Sequence, residues 1–226
     1  MFNIIQLKIT LDEVKPPVWR RILVQDNIDF YNFHLLIQKA MGWKNKHLFG
    51  FDLKEYYINC DYDWESDKNT IYIERDLNFV SFLQEEQRKE YYEKYKEYKA
   101  KEKLMLSDFL NKEKQKIKYT YNYKYGWDHT IMVEKISQPE PSISYPVCIK
   151  GKRACPPDTF DLEIRGAIDY MEICEELQEN PNNPKYKYFK DEYKKVYSRD
   201  FDPEYFDLNE INEKLKELNI ESLYGR

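Results

Sequence analysis

Apolar and polar positions alternate along residues 5–11, where Gln6, Lys8 and Thr10 separate Ile5, Leu7, Ile9 and Leu11, and a period of two predicts a half-buried strand. After Pro16 and Pro17 the alternation resumes over residues 18–24, placing Trp19, Arg20 and Arg21 on opposite faces in turn. The period then changes. Phe30, Phe33, Ile37, Ala40 and Met41 recur at helical spacing, with Asp29 placed to cap the helix and Gly42-Trp43 to stop it. Strand patterns return at residues 47–53, at 118–125, and, after a turn at Gly126, at 130–136. Three helices follow: one around residues 167–177, a Lys/Tyr-rich one after the Pro/Asn-rich break at 180–184, and one over 208–218. The last carries Asp207 and Glu210 in a capping-box pattern and Leu208, Ile211, Leu215 and Leu218 on one face. Strands first and helices last predict an α+β domain.

Residues 55–103 have another character. From Phe82 onward they are dense in Glu, Lys and Tyr, with i,i+4 pairs at Glu85–Lys89, Glu90–Lys94 and Glu97–Lys101, and with Tyr91, Tyr95 and Tyr98 on one stripe. Lysines interleaved with acids make that stripe a packing face rather than a stacking platform for bases. The stretch reads as a charged helical insertion in a single domain spanning residues 1–226, with a helical part at about 165–226.

Composition narrows the class. The 226 residues can bury a real core, and 21 Tyr, 12 Phe and 4 Trp exclude disorder despite 34% charged residues. A net charge of -5 argues against an all-over cationic coat for nucleic acid, while leaving room for a local basic patch. No signal peptide and no run approaching the roughly 20 apolar residues of a membrane helix are present, so a cytoplasmic protein with no membrane partner is expected. Four cysteines in such a chain do not make a disulfide scaffold.

The densest chemistry lies in Tyr145-Pro146-Val147-Cys148-Ile149-Lys150-Gly151-Lys152-Arg153-Ala154-Cys155-Pro156-Pro157-Asp158. Read as a hairpin with residues 150–153 as its loop, this run sets Ile149 against Ala154 and Cys148 against Cys155, a candidate thiol pair on one face. Shifting the turn by one residue separates the sulfurs.

Several segments, in order along most of the chain, resemble one family. Leu7-Lys8-Ile9, Pro16-Pro17-Val18-Trp19-Arg20-Arg21, Ala40-Met41-Gly42-Trp43 and His47-Leu48 are similar to motifs of the plasmid pRiA ORF-three-like family. So are Tyr125-Gly126-Trp127-Asp128-His129-Thr130, the cysteine run, and Phe201-Asp202-Pro203-Glu204-Tyr205-Phe206. The resemblance implies an antiparallel sheet with flanking helices and a passenger of plasmids or mobile elements. It implies no established activity. The resolvase-like label that some members carry finds no support here, because the serines (Ser66, Ser81, Ser107, Ser137, Ser142, Ser144, Ser198, Ser222) sit in no arginine-rich setting. The chain also departs from the family pattern. Phe49-Gly50 stands where members commonly carry a second histidine, Thr159-Phe160-Asp161 where many have a further cysteine and a glycine pair, and residues 55–103 are longer.

Three functions stay open: a binding or adaptor module, a metal- or thiol-dependent enzyme, and, against the acidic balance, a nucleic-acid-binding protein. Cys148, Cys155 and His129, with Asp128 or His47, are the best donor set for a metal, but six residues between the cysteines is not a zinc-knuckle spacing, and no metal or cofactor is expected. The same residues could serve a thiol-dependent enzyme if Lys150, Lys152 and Arg153 depress a thiol pKa. Cys60 and Cys174 are weaker candidates, Cys174 sharing a helical face with Tyr170 and Leu177 as an inert buried thiol would. His34 reads as a hydrogen-bonded surface or boundary residue, and Arg20 and Arg21 as partners of carboxylates. The leading expectation is a non-catalytic binding or adaptor module. Its contact site is the sheet end formed by Trp127, Asp128 and His129 with Lys150, Lys152 and Arg153, and its partner an acidic protein or a nucleic acid.

Overall fold

The computed structural model describes residues 2–54, 56–59, 69–72, 104–158 and 164–218. The expected α+β architecture is present. Eight strands form one sheet: β1 (Ile4–Leu11), β2 (Trp19–Gln25), β3 (Phe49–Asp52), β4 (Tyr56–Asn59), β5 (Asn69–Tyr72), β6 (Lys116–Tyr121), β7 (Trp127–Ser137) and β8 (Val147–Lys152). Their order is β5-β4-β3-β6-β7-β1-β2-β8, antiparallel at every pair except β4 with β5. The helices are α1 (Phe30–Met41), α2 (Leu106–Phe109), α3 (Ala167–Glu179), α4 (Lys187–Tyr197) and α5 (Leu208–Lys216).

The start of the long charged stretch differs from its expected helical character. Residues 56–59 and 69–72 are strands that widen the sheet. Tyr57-Ile58 supplies an aromatic and a β-branched side chain that suit a pleated surface, and Ile58 pairs with Phe51 over the core. The segment at 82–101, with its tyrosine stripe, lies outside the described residues.

Alternation decides the two faces. Leu7, Ile9 and Leu11 of β1 align with Ile22 and Arg20 of β2 and with Val133, Ile131 and His129 of β7, and all of these are buried. Helix α1 covers this face. Asp29 accepts a hydrogen bond from the Asn32 amide at its start, and Gly42 closes it in the left-handed conformation (φ 79°), which glycine adopts without a Cβ penalty. Phe30 and Phe33 meet Phe51 at ring separations of 5.1 and 5.8 Å, an aromatic centre whose truncation would cost about 3–5 kcal/mol per ring. The C-terminal helices pack on the same face, where Tyr170, Ile173, Tyr193, Ile211 and Leu215 join the core. Gly151 of β8 faces them, and a Cβ there would overlap the Phe206 ring.

Two local expectations change. Asp207 caps α5 as read, accepting from the amides of Asn209 and Glu210. Glu210 does not complete the box, because Arg199, Tyr205 and Lys214 donate to its carboxylate instead. His34 is fully buried rather than at the surface, bound to the Tyr119 hydroxyl and the Asn45 side chain, both at 2.8 Å, and stacked on Phe49.

Candidate functional site

The cysteine run is not a hairpin. Residues 147–152 form the edge strand β8, paired along their length with β2, so Lys150 and Gly151 are ladder positions rather than loop. A register shift beside Arg21 leaves Ile149 as the extra residue, 39% exposed, and Arg153 turns the chain out of the strand with φ at 68°. Cys148 lies on the core face and Cys155 beyond the strand end, so the ladder does not set them opposite one another. A long charged β2 neighbour and a continuous hydrogen-bonding edge outweigh the turn preference of one glycine.

Both thiols instead flank Arg20. This residue is 4% exposed on the core face, and each of its five N–H donors has an acceptor. Nε donates to Ala40 O, Nη1 to Trp19 O and Lys152 O, and Nη2 to Arg153 O and, at 3.1 Å, to Cys155 Sγ. The expected carboxylate partner is absent from this set. The Ala40 carbonyl belongs to the last turn of α1, whose negative dipole end suits a cation, and the Phe206 ring covers the guanidinium at 5.0 Å. Burial pushes the Cys148 and Cys155 thiols up, despite the lowering charge of Arg20, which disfavours the thiolate that nucleophilic chemistry needs. Cys174 is raised to about 11 by burial. Cys60 lies outside the described residues.

The expected contact site divides in the same way. Trp127, His129 and Arg153 are buried, at 5%, 0% and 2% exposure, and cannot line a surface. Trp127 and His129 occupy core positions of β7, where Tyr170 packs on the indole and Trp43 on the imidazole. His129 Nδ1 lies 3.3 Å from the Tyr119 carbonyl, its Nε2 has no partner, and burial lowers its pKa to about 4. Arg153 is bound to Glu204 and to the Pro16 carbonyl. Asp128 points to the other face and accepts from the Thr120 hydroxyl. Of the six, Asp128, Lys150 and Lys152 remain exposed. Among the described residues no three His, Cys, Asp or Glu side chains are grouped to hold a metal.

A buried network joins motifs that are far apart in sequence. Asp158 accepts from the Lys44 amide (2.7 Å) and the Tyr121 hydroxyl (3.0 Å), and His47 Nε2 lies 3.3 Å away. Burial raises the Asp158 pKa, but His47, the Lys44 amide and Tyr121 together bring it below the ordinary value. The aspartate ends the cysteine run in sequence, yet its role comes from three other elements.

Beside it, Arg20, Cys155, Tyr197, Arg199, Phe206 and Glu210 line a shallow, open cleft between β2, α1, α4 and α5. Its carboxylate Glu210 is matched by neighbouring donors. Burial opposes ionisation of Glu210, but Lys214, Tyr205 and Arg199 hold its pKa at about 2.

The opposite face of the sheet is built differently. In register across five strands lie Lys116 (β6), Met132 (β7), Lys8 (β1), Arg21 (β2) and Lys150 (β8). The adjacent row is Lys118, Thr130, Thr10, Trp19 and Lys152. Arg21 is paired with Glu134 (Nη2 to Oε1, 2.7 Å), and Lys118 with Asp12. Lys8, Lys116, Lys150 and Lys152 have no carboxylate in contact among the described residues. Lys8 Nζ and Arg21 Cζ lie 5.2 and 5.1 Å from the Trp19 ring centre. Two-residue alternation in β1 and β2 foretold which side chains share a face; the partner strands and their register, which add Lys116, Lys150 and Lys152, left no mark in the local sequence.

The chain has relatives among uncharacterised proteins. It is 24% identical to the uncharacterised protein y4hQ of Sinorhizobium fredii, over 96% of this chain and 92% of that one. A crystal structure of a protein of unknown function, MM3350 from Methanosarcina mazei, matches it with a TM-score of 0.62 and 25% identity over 93% of this chain and 97% of that one. The plasmid pRiA4b ORF-3-like family matches residues 3–210, which include both arginines of β2, the buried aspartate network and the cationic sheet face, and the chain belongs to that family.

Proposed function

We propose that this protein is a non-catalytic binding module and that its binding surface is the cationic outer face of the sheet. The observation that carries this reading is the register that lines up Lys116, Lys8, Arg21 and Lys150 beside Trp19 and Lys152. Local cations on a protein of net charge -5 attract an anionic partner to one face and repel it elsewhere. The two thiols lie beside Arg20 with pKa values raised by burial, and Glu210 in the cleft next to them is held ionised by Lys214, Tyr205 and Arg199, so neither is poised as a reaction centre. A module carried by plasmids or mobile elements fits the family's name.

Retention on immobilised heparin, a general polyanion, tests the reading. The acidic wild-type protein should be retained at low salt and released by added salt, while a Lys8→Glu, Lys150→Glu, Lys152→Glu variant should pass through. Wild-type protein in the flow-through, or equal retention of the variant, would sink it.

A further inference from the structure

We infer that the partner of this face is single-stranded nucleic acid, with Trp19 stacking a base and the lysines of the neighbouring strands holding phosphates. The inference rests on the binding-module reading and adds the chemical class of the partner. Three observations point to it.

The first is shape. From Lys116 to Lys150 the row crosses five adjacent strands, which at about 4.8 Å per strand spacing makes it about 19 Å long. Groove recognition of a duplex uses a helix or a two-stranded ribbon that enters the groove. On this face the described elements are strands of one sheet, which can touch only the outside of a duplex. An extended single strand can lie along such a row with its bases turned toward the sheet.

The second is the position of the indole. Trp19 stands in the row next to the Lys8–Arg21–Lys150 row, so a base on its ring leaves the flanking phosphates beside lysines of β1 and β8. An acidic peptide would satisfy the same lysines without needing an aromatic ring among them.

The third is the unequal hold on the two cations beside that ring. Arg21 is fixed by Glu134, which also accepts from Gln6, so its guanidinium is a fixed wall of the platform. Lys8 makes no ion pair among the described residues; its ammonium stands over the ring and feels the Glu134 carboxylate only at a distance. A base arriving on the indole displaces Lys8 from the ring, and the freed ammonium is then available to the phosphate of the same nucleotide. The exchange replaces a cation–π contact with a base stack and an ion pair, and no charge is left unpaired.

The test uses the full chain and three labelled probes at one salt concentration: an oligothymidylate of about 20 nucleotides, long enough to cover a site of the usual single-strand size, a duplex of equal length, and polyglutamate. The oligothymidylate should bind most tightly. Trp19→Ala should weaken it at least about fivefold, the low end of what one lost base–aromatic stack does, while Trp19→Phe keeps a ring and stays within about threefold of wild type. Heparin retention of Trp19→Ala should be unchanged, since its lysines remain. Tighter binding of the duplex or of polyglutamate would overturn the inference, as would equal oligothymidylate binding by wild type and Trp19→Ala with normal heparin retention. Those results would leave the binding-module reading standing; loss of wild-type heparin retention would remove both. If Trp19→Ala does not fold, Trp19→Phe decides alone: it must bind oligothymidylate, and a Lys8→Gln, Lys150→Gln pair in its background must weaken that binding.

Discussion

Arg20 and Arg21 are neighbours in sequence and point to opposite faces of one strand, and the contrast between them separates the two halves of this molecule. Arg20 is buried, has no carboxylate, and spends every donor on backbone carbonyls and one sulfur that come from α1, β2, β8 and the turn after it. Arg21 sits half-buried on the outer face in a two-point pair with Glu134. The first arginine ties elements together; the second prepares a surface. A guanidinium can do both because its five donors are fixed in a plane, and what differs is whether water can replace the acceptors.

The largest expected effect follows from that difference. Arg20→Met strands four carbonyls and a thiol in the core and should lower unfolding stability by on the order of 3–5 kcal/mol, read from the denaturant midpoint at unchanged slope. Arg20→Lys should recover little, since an ammonium has three donors for five acceptors. If Arg20→Met costs less than about 1 kcal/mol, the range of an exposed ion pair, the two arginines are equivalent and the contrast fails.

His129 tests the core face by pH. Its folded pKa of about 4 lies below the ordinary 6.5 because of burial, so the unfolded state binds the proton more readily. Stability should be fully present above pH 6.5 and fall as the pH drops from there toward 4, by about 3 kcal/mol for a shift of this size. His129→Leu should flatten that part of the stability–pH curve, measured by denaturant unfolding at closely spaced pH values. An unchanged slope in the variant would mean that other groups titrate there.

A smaller loss is expected from Asp158→Asn. The amide can still accept from the Lys44 N–H but loses the charge that His47 and Tyr121 favour, for a cost of about 2 kcal/mol near neutral pH. Because the Asp158 pKa is lowered, its contribution is present above the usual carboxylate range and lost as the pH falls through the folded value. Wild type and variant should therefore converge in acid; parallel curves down to the acid transition would assign the aspartate a packing role only.

The order of these effects shows what the sequence reveals and what it hides. Helix α1, its Asp29 cap, its Gly42 stop and the alternation of β1, β2 and β7 are set by neighbours within a few residues, and they are readable one segment at a time. The sequence also places Arg20 and Arg21 on opposite faces. Their partners cannot be read in this way: Arg20 meets Lys152 and Arg153 from over 130 positions away, and Arg21 meets Glu134 across β1 side chains, both consequences of strand order. The same long-range dependence gives β8 the local look of a hairpin. Gly151 sits there because Phe206 needs the space, a tertiary reason that looks like a turn signal when read locally. Trp127, His129 and Arg153 have the chemistry of a contact site, but their burial is decided by Tyr170, Trp43 and Glu204.

The smallest expected effect is on the outer face, and it sharpens the contrast from the other side. Arg21→Gln removes a two-point ion pair whose partners are only 24% and 16% exposed and leaves Glu134 with Gln6, so it should cost about 1 kcal/mol. Lys150→Gln with Lys152→Gln should change stability by no more than about 0.5 kcal/mol, as exposed side chains without an ion pair do. A face kept for binding can hold charges that contribute almost nothing to folding, and it can lose them without unfolding. The denaturant midpoint of the lysine pair should coincide with wild type within that range, while its retention on heparin drops more than that of Arg21→Gln, which removes one charge rather than two. Were the lysine pair to unfold the protein, these ammonium groups would belong to the fold, and the division between a core face and a binding face would be wrong.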